Sequence, residues 1–241
     1  MLPSSLVPGF LATGPTAGQL PYPMMPLSAQ RIVRAALRYA WRVVRFRAEE
    51  HGLSSATEPQ ITTVLQFTLN ELLDDDNEPV PGFSSNYFET VERGAEMVNY
   101  SGLRLEKRPD LRFRMQGRIQ LVHDRTHYGL IVESKLLDPA HPLRLYAANG
   151  ILRFVQGDYA WAMPHGMMLA YVRSGAPTQE DLITFLKNGD VEYSVVDAFH
   201  VSSSEDSEEF VRSVHERPWQ YPFSSSSPGP IELIHVWLYL T

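Results

Sequence analysis

The chain has 241 residues, 44% of them hydrophobic and 20% charged, with a formal net charge of −7 and no cysteine. That length buries one good-sized core, and the composition is that of a soluble globular protein. It excludes disulfides, thiolate metal sites and an apolar run able to span a bilayer, and the acidic balance argues against a free-standing, tight nucleic-acid binder. The lack of cysteine, and of a basic stretch leading into an apolar one at the N-terminus, suits a cytoplasmic protein with no membrane partner. The charge is uneven. Acids gather in Asp74-Asp75-Asp76, Glu205-Asp206 and Glu208-Glu209, bases in residues 31–47 and 104–118, so a local basic face remains to hold a phosphate backbone.

Residues 1–27, with Pro3, Pro8, Pro15, Pro21, Pro23 and Pro26, read as an extended arm, either disordered or packed over another surface. Residues 28–54 form a second unit, a basic helix from a Ser28 cap to about Glu50. Ile32, Ala35, Ala36, Tyr39, Val43 and Phe46 give it an apolar stripe, and six arginines from Arg31 to Arg47 cover much of the rest, as a solvated face or as a phosphate or partner contact. Residues 55–241 make the main domain. Its first helix starts at Thr57, where Thr57 and Gln60 have capping-box spacing and Glu58 suits the positive first turn. Ile61, Leu65, Leu69 and Leu72 line one face, and the loop from Asp74 to Gly82 ends it.

A third helix is predicted over 86–99, then strands over 111–122 and 128–136. A helix over 144–163 turns Ile151, Phe154, Val155 and Tyr159 inward, with Gly150 and Gly157 for close approach to the sheet. It joins the preceding strand to a parallel apolar one at 167–172. A helix over 178–187 and strands over 192–201 and 231–240 complete the domain, with loops at 202–209 and 224–230.

The chemistry concentrates in Pro109-Asp110, at the mouth of one strand, and Glu133-Ser134-Lys135 on the next. Strand side chains alternate, so Glu133 and Lys135 project to one side and Ser134 to the other. They come after Leu130-Ile131-Val132, a buried run where two charges are costly unless they have a use. An Asp, a Glu and a Lys converging at a sheet edge hold a divalent cation and activate a water beside it. The register decides whether they meet. A hairpin turning at 124–126 sets Glu133 opposite Arg118. Asp110 faces Glu133 only if the pairing centres near 121–122, with an excursion of about 116–127 or a bulge near Gly117.

This pattern resembles the PD-(D/E)XK nuclease superfamily over roughly residues 55–175. The resemblance implies an α/β, restriction-endonuclease-like fold: an αβββαβ core whose mixed central sheet is flanked by helices, here behind an N-terminal helical extension. It implies a metal-dependent endonuclease that hydrolyses DNA phosphodiester bonds with Mg²⁺ or Mn²⁺, in defence against foreign DNA. Asp110 and Glu133 are the implied metal ligands, with the Ser134 carbonyl and Glu58 completing the set, although Glu58 equally serves the helix dipole. Lys135 would hold or deprotonate the attacking water. Tyr146, Asn149, Arg153 and Gln156 lie at helical spacing beyond it, and Arg153, Gln156 and Tyr146 are the candidate substrate contacts.

The acidic balance also fits an inactive subunit of the same fold that docks nucleic acid or a partner protein. A partner chain or a homodimer would then share the DNA grip. A coincidental motif in an unrelated α/β protein is the third reading. His215, Arg217 and His235 read as structural, and Trp41, Trp161, Trp219 and Trp237 are too scattered to announce a base-stacking platform.

Overall fold

The computed structural model describes residues 20–47, 52–102, 108–122, 124–189, 191–203, 208–222 and 226–240. Most of the predicted arm (1–19), the end of the basic helix (48–51), the bases of 103–107 and the acids of 204–207 lie outside them. Among the described residues, four helices flank one open, mixed sheet. The helices are α1 (Leu27–Phe46), α2 (Glu58–Leu73), α3 and α4 (Gln179–Lys187). α3 joins two α-helical pieces, Leu143–Tyr146 and Leu152–Val155, through a wider π turn at Ala147–Ile151. The strands are β1 (Leu111–Phe113), β2 (Leu130–Leu137), β3 (His165–Val172), β4 (Val195–Ser203), β5 (Glu208–His215) and β6 (Ile231–Tyr239), in the order β1-β2-β3-β6-β5-β4.

β2, β3 and β6 run parallel at the centre, and β1, β5 and β4 are antiparallel to their neighbours. The parallel strands are covered on both faces, which is why they read as nearly unbroken apolar runs. Val132, Leu169, Tyr171 and Val236 pack beneath α1 and α2, while Ile131, Met168, Ala170 and Trp237 face α3 and α4. α1 shares its core with α2: Val33, Leu37, Ala40 and Val44 are fully buried beside Leu65 and Leu69. Among the described residues no helix is long and apolar enough to cross a membrane.

Several boundaries depart from the sequence reading. α1 begins one residue before Ser28, directly after Pro26, whose carbonyl accepts from Gln30 N at 3.0 Å. α2 starts where expected, with Gln60 Oε1 accepting from Thr57 N at 2.8 Å. The helix predicted over 86–99 does not form. Phe88 and Glu92 instead bridge to Met115 and Arg112 beside β1, and Glu89 and Glu92 ion-pair with Arg112, Arg114 and Arg125. Those tertiary ion pairs, with Gly94 at φ +63, override a weak helical pattern. The strand predicted over 111–122 stops at Phe113, where Gly117 (φ +80) and Leu121 (φ +69) turn the chain. The helix predicted to reach 163 stops at Val155, ahead of Gly157 at φ +71. The predicted loop at 202–209 conceals a hairpin: Ser202 and Ser203 end β4, and Glu208 and Glu209 begin β5, a strand the sequence reading missed. The described end of the arm is packed, with Tyr22 buried and its N–H donated to Ala162 O at 2.7 Å.

Candidate active site

The pairing of β1 with β2 matches Leu111 to Val132, Arg112 to Ile131 and Phe113 to Leu130, so one step further Asp110 stands opposite Glu133. The register centres near 121–122, as the meeting of the two acids requires. The intervening chain turns at Gly117 and Leu121 and through a short 3₁₀ turn, Arg125–His127, where Asp124 Oδ1 accepts from Thr126 N at 2.8 Å.

Beyond Leu111 the edge of β2 has lost its strand partner, and carboxylates take over its amides. Asp110 Oδ2 accepts from Ser134 N at 2.8 Å, and Glu58 Oε2 accepts from Leu136 N at 3.0 Å. Between these acids the Lys135 ammonium donates to Glu133 Oε1 at 2.8 Å, Glu58 Oε1 at 3.0 Å and the Ser134 carbonyl at 2.6 Å, with Asp110 Oδ2 at 4.0 Å. Three acids distant in sequence therefore share one cation. Glu58 comes from the first turn of α2, which is anchored from below: Thr62 Oγ1 donates to Glu58 O and accepts from Tyr171 OH, and it lies 3.1 Å from Ser134 Oγ.

Glu133 is almost wholly enclosed, 1% exposed, and its Oε2 has no hydrogen-bond partner. Burial, seconded by the charge of Asp110, pushes its carboxyl up to about 7 against the pull of Lys135 and Arg153. Burial alone would lower the Lys135 ammonium, but Glu133, Glu58 and Asp110 together outweigh it and hold the group above its ordinary value. Arg153 Nη1 lies 3.0 Å from Glu133 Oε1 and donates to Tyr159 OH at 2.7 Å; Tyr159 in turn donates to Arg108 O at 2.9 Å.

α3 covers this cluster closely because of one glycine. A Cβ on Gly150 would fall 2.2 Å from Met168 Cε and 3.7 Å from Lys135 Cγ. The predicted contact face of α3 is split by its π turn, whose one extra residue rotates the Leu152–Val155 piece about the helix axis relative to the Leu143–Tyr146 piece. Arg153 reaches the acids. Tyr146, predicted beside it, is instead buried in the core, where its hydroxyl lies 2.9 Å from His235 Nδ1. Gln156 lies exposed just past the last helical residue. Tyr159, read from the sequence as core, is the residue that steadies Arg153; a six-residue spacing across a glycine turn carries no periodic signal for it. His215 and His235 are fully buried in a separate cluster, as their structural reading anticipates.

Among the described residues no group of three or more His, Asp or Glu side chains is close enough together to hold a metal ion, because the acids converge on the ammonium and not on one another. The donors still suit a hard cation: carboxylate and carbonyl oxygens throughout, one of them, Glu133 Oε2, buried and unpartnered. No family model, curated protein or solved structure matches the chain.

Proposed function

We propose that this chain is a metal-dependent nuclease with a restriction-endonuclease-like core, hydrolysing phosphodiester bonds in DNA at a site built on Asp110, Glu133 and Lys135. The observation that carries the reading is the gathering of Glu58, Asp110 and Glu133 around the Lys135 ammonium, with a buried carboxylate oxygen left over. Mg²⁺ or Mn²⁺ would be held by Asp110 and Glu133 with the Ser134 carbonyl, and Glu58 is placed to join directly or through water. When bound, such a cation supplies Lewis acidity and a bound water of lowered pKa.

The chain's own groups do the rest. Lys135, charged and largely enclosed, offers N–H donors to the nucleophile or to a phosphate oxygen, offsetting the charge that builds at phosphorus. Arg153, 39% exposed in its side chain and held by Tyr159, is the cation placed to receive a phosphate oxygen. Asp110 and Glu58, by accepting from β2 amides, keep their carboxylates aimed at the same point. A role in defence against foreign DNA accords with such an activity.

Incubation with plasmid and linear DNA, in Mg²⁺, Mn²⁺ or chelator, tests the proposal. Cutting that needs the cation and disappears in Lys135→Ala is the expected result; intact DNA under every condition would overturn it. One observation favours a second reading, an inactive docking subunit: the acids are already neutralised internally by Lys135 and Arg153. That reading gains if the protein never cuts but forms a stable complex with DNA or a partner chain.

A further inference from the structure

A groove of about 1040 Å³ opens on the other side of β3 from Lys135, between α1 and the C-terminal end of β6, with the first turn of α4 and the β4–β5 hairpin along its far wall. Its α1 wall carries Arg38, Arg42 and Arg45, a row rising about 10 Å along the helix. Arg42 and Arg45 are exposed and make no ion pair among the described residues; Arg42 lies over the Tyr39 ring at 5.1 Å. The floor is aromatic. Trp41 and Trp237 are nearly buried, Trp41 Nε1 donates to Tyr239 O at 2.9 Å, and the Tyr239 ring stands 47% exposed above them. Both tryptophans line the groove, Trp41 from α1 and Trp237 from β6. Two acids share the groove: Glu209, whose carbonyl accepts from Arg38 Nη2 at 2.9 Å, and Glu180, whose carboxylate is 3.0 Å from His200 Nε2. Arg42 and Arg45, exposed beside Arg38, are the cations left to meet an anionic chain.

A basic wall that tracks a backbone, beside an exposed ring that accepts a base of any sequence, is the combination that holds single-stranded nucleic acid. The groove also lies level with the site: Lys135 pairs with Ala170, and Ala170 with Trp237, about 10 Å across two strand spacings. We infer that this groove binds single-stranded DNA, with phosphates on Arg42 and Arg45 and a base stacked on Tyr239. The inference rests on the nucleic-acid reading above for the class of ligand, and on separate residues for its contacts.

Fluorescence anisotropy with a labelled oligonucleotide of about 20 nucleotides, as single strand and as duplex in chelator, tests it over a salt series. Wild-type protein binds the single strand more tightly than the duplex. R42A/R45A weakens single-strand binding at least tenfold and flattens the logarithmic salt slope by about 1.4, two contacts' worth of released counterions. Tyr239→Ala weakens binding roughly tenfold with the slope unchanged, and Tyr239→Phe restores it. Equal affinity for the duplex, no binding by the wild type, or unchanged binding by a folded R42A/R45A overturns the inference. The two readings fail separately. Protein that binds through this groove yet never cuts removes the nuclease alone; protein that cuts while R42A/R45A binds as before removes the groove alone.

Discussion

Two polar clusters lie buried on the α3 side of the sheet, and they are built on opposite plans. One is a neutral chain. His215 Nδ1 lies 2.7 Å from the Tyr193 carbonyl, which only accepts, so that nitrogen donates and His215 Nε2 accepts from the Ser213 hydroxyl at 2.7 Å. Ser213 Oγ then accepts from His235 Nε2 at 2.7 Å, and His235 Nδ1 accepts from Tyr146 OH at 2.9 Å. Every donor has one acceptor, and burial keeps the imidazoles uncharged by pulling His215 down to about 4 and His235 to about 3. The other cluster, around Glu133, is charged, shares one ammonium among three acids and leaves an oxygen unmet. A closed network specifies a fold; an open one keeps capacity for something that arrives from outside.

Lys135→Ala breaks the contrast most strongly. Removing the shared cation should lower cutting by about 10²–10⁴-fold and, by leaving the buried Glu133 carboxylate to Arg153 alone, lower stability by about 1–3 kcal/mol; nuclease assays and urea melts read the two effects separately. Acid comes next. Both histidines have folded values below the ordinary 6.5, so the unfolded chain takes up protons first. Their contribution is complete above about pH 6.5 and drains away as pH falls through about 4 and 3. Urea midpoints should fall across that window, with a slope approaching about 1.4 kcal/mol per pH unit for each histidine. Ser213→Ala strands two imidazole nitrogens and should cost about 2 kcal/mol with DNA cutting unchanged; reduced cutting at equal stability would merge the two clusters into one functional unit. Gly150→Ala, which presses on Met168 and the Lys135 stem, should cost about 1 kcal/mol in thermal melts and depress cutting more than its stability loss explains.

The parts of the fold legible in sequence are those whose signals are local. The Thr57–Gln60 box places α2, the apolar runs place β2, β3 and β6, and Thr178, whose hydroxyl donates to Asp181 Oδ2 at 2.7 Å, starts α4. Glu133 and Lys135 share a face by alternation alone. The meeting with Asp110 is legible only as a condition on register, because the Gly117 and Leu121 turns that satisfy it are decided by tertiary packing. The illegible parts depend on distant partners. Glu89 and Glu92 hold 88–92 beside β1 through arginines on and beyond it. β5 follows an acidic, serine-rich stretch of sequence, although Phe210-Val211 and Val214 carry a strand's composition. Tyr146 is misplaced by any reading that assumes a uniform helix, because α3 widens by a residue just beyond it.

The three-residue length of β1 has a consequence for how the site can be dissected. A strand edge without a neighbour invites another chain to add to it, and here negative side chains from Asp110 and Glu58 occupy the inviting amides. Truncating both acids to alanine would uncover Ser134 N and Leu136 N together, and lost activity would arrive mixed with self-association. Asp110→Asn and Glu58→Gln retain an acceptor oxygen for each amide while discharging the site, so chemistry can be separated from stickiness on a single protein surface.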